Sequence, residues 1–164
     1  MNAAATNGHQ DVVKYLHELG GSQTSLLNKN VVSKGGHLEV VQWLHQHREE
    51  GCSTLAVDAA AAHGQLNVVR WLCENQLEGC TTAADDAAEN GHLDVVQYLH
   101  SRGIDCTATA IDKAAGNGHL HIVKWLSYNG NGECTTDAMD GAAASGALDV
   151  VKSPRGWMHR GSDE

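Results

Sequence analysis

Six times along this chain a pair of small residues and two spacers lead into a glycine, and an apolar block follows. The glycines are Gly8, Gly36, Gly64, Gly91, Gly118 and Gly146, so the period is 27 or 28 residues. After each comes a near-copy of one phrase: HQDVVKYL, HLEVVQWL, QLNVVRWL, HLDVVQYL, HLHIVKWL and ALDVV. A fixed period between about 20 and 50 residues marks a stacked array of one supersecondary unit. Residues that look chemically interesting therefore recur because the architecture recurs, and the array has to be read before any local motif. Composition agrees. Hydrophobic residues make up 41% of the chain, yet there are four Trp, three Tyr and no Phe, which suits many thin cores of Ala, Val and Leu better than one large one. Eighteen glycines beside the single Pro154 mark recurring turns without a proline-rich linker.

The fourth unit shows the local logic most cleanly. Thr82 followed by Asp85 reads as a variant capping box, with the hydroxyl and carboxylate satisfying first-turn amides, and Thr109 with Asp112 repeats the pairing. The alanines that follow are strong helix formers. Asn90-Gly91 then stops the helix, since glycine accepts the left-handed conformation common just past a helix end. A second helix begins at once, with Asp94 near its positive end and with Val95, Val96, Tyr98 and Leu99 forming an apolar stripe. One such hairpin cannot bury its stripe alone, and stacking on neighbours does so. The aromatic column Tyr15, Trp43, Trp71, Tyr98 and Trp125, and the column Leu16, Leu44, Leu72, Leu99 and Leu126, are expected in that core.

The repeated phrase resembles the ankyrin-repeat unit, T-P-L-H-x-A-A-x-x-G-H-x-x-V-V-x-x-L-L. Thr109 through His119, then Ile122-Val123 and Trp125-Leu126, follow that pattern. The resemblance spans roughly residues 1–152 and implies an all-α, ankyrin-like α-solenoid of stacked helix-turn-helix repeats. About six units are expected, the first and last incomplete, with 153–164 as an irregular tail. The family period is about 33 residues. The shortfall falls on the β-hairpin finger, so fingers are expected to be reduced or absent, as at Glu78-Gly79-Cys80 and Ile104-Asp105-Cys106. The family's proline and histidine become Ala83 and Asp85, Ala110 and Asp112, and Ala138 and Asp140. Unit two departs furthest, with Asn28-Lys29-Asn30-Val31-Val32-Ser33 where an Ala-rich helix belongs. The chain enters partway into a first helix, and Ser153-Pro154-Arg155-Gly156 interrupts the last second helix. Such incomplete ends offer surfaces for self-association, or mark a segment of a longer array.

Chemistry finds little purchase. The net charge is −9, with Lys and Arg scattered singly, which argues against nucleic acid. No run of 18 apolar residues exists to span a membrane, and the N-terminal segment has neither the basic start nor the apolar stretch of a signal peptide. Cys52, Cys80, Cys106 and Cys134 share one repeat position, so neighbours stand about 8–10 Å apart, too far for a disulfide. They read as small packing residues, Cys73 is expected to be partly exposed on a second helix, and the set reads as reduced and intracellular, cytoplasmic or nuclear. Of eleven histidines, His9, His37, His92 and His119 belong to the turn, and His17, His45 and His100 form a second column. A column spreads its members along an array, whereas zinc needs them converged, so no metal, cofactor or catalytic residue is expected. There is no G-x-S-x-G, phosphate loop or H-E-x-x-H.

The resemblance implies a non-catalytic protein–protein interaction module, a scaffold binding a protein partner on the concave face of the stack. Candidate contacts are positions that vary while the scaffold stays constant: Val31, Lys34, His63, Asp86, Glu89 and Lys113. The rival readings are a structural segment of a longer array and, more remotely, a metal-binding or enzymatic protein.

Overall fold

The computed structural model describes residues 2–19, 29–47, 54–75, 82–129 and 136–152. They form six helix pairs: α1 (Asn2–Thr6) and α2 (Gln10–Glu18); α3 (Lys29–Gly35) and α4 (Leu38–Gln46); α5 (Thr54–Ala62) and α6 (Leu66–Asn75); α7 (Ala83–Glu89) and α8 (Leu93–Ser101); α9 (Ala108–Gly116) and α10 (Leu120–Asn129); α11 (Thr136–Ala144) and α12 (Leu148–Val151). Among the described residues there is no strand. The segment Ile104-Asp105-Cys106 is plain loop, as the shortened period predicts, while Glu78-Gly79-Cys80 lies outside the described residues. The weakly matching second unit does form its first helix, α3.

The chain divides into two compact units, Met1–Ala83 and Ala84–Glu164. In the first, α3 packs between α1 and α5 in one layer while α4 packs between α2 and α6 in the other. In the second, α11 lies on α9 and α12 on α10, and side chains of α9 and the turn after it reach back to α7. In the second to fifth repeats the core is the small pair of the first helix together with the apolar doublet and leucine of the second: Ala87, Ala88, Val95, Val96 and Leu99 in the fourth repeat are all buried. Small residues are required because the first helices approach closely. A Cβ added to Gly141 on α11 would come 3.2 Å from the Cα of Gly116 on α9.

Each hairpin turns on the same backbone device. Gly91 sits at φ +87°, its N–H donates to the carbonyl of Ala88, and the N–H of His92 donates to that of Ala87. This pair of bonds is a Schellman motif, which satisfies the helix's last carbonyls and needs a residue without Cβ at the left-handed position. Next, Leu93 opens α8, with the Asp94 carboxylate accepting from the amide of Val95 at 2.9 Å.

Three expectations need correction. The aromatic column is only partly buried, with Trp43, Trp71, Tyr98 and Trp125 half-exposed and Tyr15 exposed. The aliphatic column next to it is the true core: Leu44, Leu72, Leu99 and Leu126 are buried, while Leu16 in the first repeat is only half-buried. The cap of α9 is Thr107 rather than Thr109, which lies inside the helix. Asp85 reaches beyond its own helix. Its two carboxylate oxygens accept from the Thr107 amide at 2.8 Å and the Thr107 hydroxyl at 2.6 Å, 22 residues on.

Ser33 is the exception in the small pair. It occupies a position held by alanine in Ala5, Ala61, Ala88 and Ala115, and it is fully buried with no hydrogen-bond partner for its hydroxyl among the described residues. A buried unsatisfied polar group costs about 1–3 kcal/mol. Ser33→Ala removes that cost without changing the packing volume much, so it is expected to stabilise the chain by about 1 kcal/mol. A higher midpoint in urea at unchanged slope is the readout.

Candidate interaction surface

The variable residues of the first helices are held by the contacts that align the repeats. In the second compact unit Lys113 Nζ on α9 pairs with Glu89 Oε2 on α7 at 2.5 Å. The Lys113 ammonium is held above its ordinary range, first by that bond to Glu89 and then by the charges of Glu89, Asp86 and Asp85. Asn117 Nδ2 donates to the backbone carbonyl of Glu89 at 2.7 Å, and His121 Nε2 donates to that of Gly91 at 3.2 Å. The structure therefore brings Asp86, Glu89 and Lys113 into one acidic patch with a single lysine paired inside it, Asp85 beside them.

The remaining candidates belong to the first compact unit. Lys34 is exposed on α3, and its carbonyl accepts from Gln65 Nε2 at 3.2 Å. His63 is exposed just after α5, its Nδ1 donating to the carbonyl of Ala59 at 3.0 Å. Val31 falls within α3, and its side chain lies outside the described residues.

The turn histidines act by shape as well as by hydrogen bonding. The His37 ring lies over Gly8, where a Cβ would come within 2.8 Å of its Cγ, and the His119 ring lies over Gly91 in the same way. Gln65 covers Gly36. At the last turn the covering residue is Ala147, whose Cβ only reaches ordinary contact with Gly118. A hollow of about 780 Å³ remains there, lined by residues 116–118 and 145–149. The second histidine column packs edge-on against the next repeat's aromatic ring: His17 on Trp43, His45 on Trp71 and His100 on Trp125, each with centroids 5.1 Å apart. His47 stacks on Trp43 at 4.3 Å, with its ring 6.0 Å from that of His17. These side chains are drawn to rings and carbonyls. Among the described residues no three His, Cys, Asp or Glu side chains converge as a metal site would require.

Sequence reasoning missed Asp85 as a link between repeats and missed the hollow at Ala147. The signal for the first was present, since Asp58, Asp85, Asp112 and Asp140 hold one repeat position. The signal for the second was the lone alanine where other units carry His or Gln after the glycine.

Two titratable groups carry testable consequences. Cys106 is half-buried, its thiol donating to the carbonyl of Ala84 at 3.4 Å. Burial, and then the charges of Asp85 and Asp105, push its pKa up to about 12. Since only the thiolate is nucleophilic, iodoacetamide at pH 8 is expected to label Cys106 at least about a hundredfold more slowly than glutathione, and at an ordinary rate once the chain is unfolded in urea. Peptide mass spectrometry over time measures both rates. His119 is held below the usual imidazole range, first by burial and then by the neighbouring His121, against an opposing bond from the Glu89 carbonyl. The unfolded chain then binds the proton more readily, so stability present above about pH 6.5 is lost as pH falls toward the lowered folded value. His119→Gln, which copies Gln65, is expected to flatten that part of the acid limb in urea titrations between pH 7.5 and 5.

The profile of ankyrin repeats (3 copies) matches residues 29–110 and 85–153. No curated protein matches the chain. Repeats of this kind are generally protein–protein interaction modules and typically non-catalytic, and no helix among the described residues is long and apolar enough to cross a membrane. The glycine turns, the small-residue first helices and the matched profile give one conclusion: this chain belongs to the ankyrin-repeat family.

Proposed function

We propose that this chain is a non-catalytic scaffold that holds a partner protein on the first-helix side of its repeats, the concave face in stacks of this kind. Membership of the family carries the reading, and it remains a family-level argument rather than one from a reacting site. The contact residues are Val31, Lys34, His63, Asp86, Glu89 and Lys113. Lys34, His63 and Lys113 are exposed, while the small pairs beside them are buried in the scaffold. A rigid frame with chemically varied exposed positions loses little conformational entropy on binding. Charges of both signs on this face favour a partner of mixed polarity. The array is taken to cover residues 1–152, with 153–164 outside it. An intracellular site, cytoplasmic or nuclear, is in keeping with the free thiol of Cys106.

The test exploits the ion pair. Exchanging the two charges, Glu89→Lys with Lys113→Glu, keeps the pair and inverts what the face presents. Lys34→Ala and Asp86→Ala complete the variant. Affinity capture from native extract is expected to lose the proteins retained by the unaltered chain, with an unchanged helical circular dichroism spectrum. Recovery of the same proteins by both chains overturns the choice of face.

A further inference from the structure

At three of the glycine turns the following repeat lays a planar polar side chain where a Cβ would stand: His37 over Gly8, Gln65 over Gly36 and His119 over Gly91. Two of these side chains also donate to one of the last carbonyls of a helix, which lack partners within it. Gln65 Nε2 donates to Lys34 at 3.2 Å and the His119 ring donates to Glu89, each two residues before the covered glycine. Asn117 adds a second bond to Glu89 at 2.7 Å. The turn after α9 has the same bare glycine, Gly118 at φ +76°, and the equivalent carbonyl belongs to Gly116. Here the covering residue, Ala147, has no donor, and Ser145, which stands where Asn117 does, turns its hydroxyl to the carbonyl of Ala142 at 3.1 Å. Neither serves the Gly116 carbonyl. The hollow of about 780 Å³ lies at this point, lined in part by Gly116, Gly118, Ser145, Ala147 and Asp149. Both repeats that bound it are present, so the opening follows from the side chain at position 147.

We propose that this hollow is a seat for an imidazole brought from outside the chain, a histidine side chain of a partner protein, in the place that His119 fills at Gly91. The recess supplies what holds the internal ring: a glycine face without Cβ, and an accepting carbonyl two residues before it. Charge selects imidazole over a carboxamide. Asp149 is the charged residue among those lining the hollow, and a carboxylate attracts an imidazolium but not a neutral amide. The site uses none of the residues of the face proposed above, so it stands or falls separately from that reading.

Nuclear magnetic resonance titration of the isotopically labelled full chain tests it, with imidazole and with a blocked glycine-histidine-glycine peptide as probes. Saturable shifts are expected at the amides of Gly118, Gly146, Ala147 and Leu148, with a dissociation constant of about 1 mM, a scale open to a ligand of so few atoms. The same peptide with alanine in place of histidine is expected to give none. Binding is expected to be about threefold or more tighter at pH 6 than at pH 8, and Asp149→Asn is expected to remove that difference. Ala147→His supplies the ring from within, so it is expected to abolish the shifts and to raise the urea midpoint. The proposal is overturned by shifts that do not saturate, that arise equally at Gly91, or that persist in Ala147→His. It is equally overturned by a lowered midpoint in that variant, by equal affinity at both pH values, or by a hollow that admits no probe because residues 153–164 fill it.

Discussion

The fold depends on how closely one repeat can approach the backbone of the one before it. At each hairpin the chain must reverse within a few atoms, which puts a glycine in the left-handed conformation. The bare Cα so exposed becomes the seat for the next repeat, whose His37, Gln65 or His119 side chain lies where any Cβ would stand. One residue type thus answers two demands, a local dihedral and a steric vacancy, and neither can be met by another amino acid. The same economy governs the first helices, where the Gly116 and Gly141 backbones come close enough that alanine would have to displace its neighbour.

Polar groups follow the apolar contacts and fix their register. Asp85 holds the start of the next repeat through Thr107, Glu89 holds Lys113, and carbonyls at the end of one first helix accept from Gln65 or Asn117 of the following repeat. Exposed ion pairs contribute little to stability singly. Their value here is geometric, since each links two successive repeats and opposes a slip of one helix along another. Aspartate stands where the family pattern has histidine, and a carboxylate with two acceptor oxygens suits the bidentate hold on Thr107.

This arrangement also explains why the candidate surface and the scaffold are hard to separate. Glu89 and Lys113 present charge to solvent and at the same time tie α7 to α9. In a repeat stack, stability is the sum of unit and interface terms, so a residue at a repeat junction acts on both.

The period of 27 or 28 residues, the helix-turn-helix content, the shortened fingers and the leucine core were all legible in the amino-acid order. They follow from local chemistry repeated at fixed spacing: helix formers, a glycine stop, an apolar stripe. The depth of the aromatic column, the reach of Asp85 to Thr107, the pairing of Glu89 with Lys113 and the hollow beside Ala147 were decided by tertiary structure. Each of these depends on which atoms of residues 22 to 31 positions apart come within a few ångströms. Spacing along a chain says that two residues are equivalent in successive repeats, but only the packing of one repeat on the next says whether they touch.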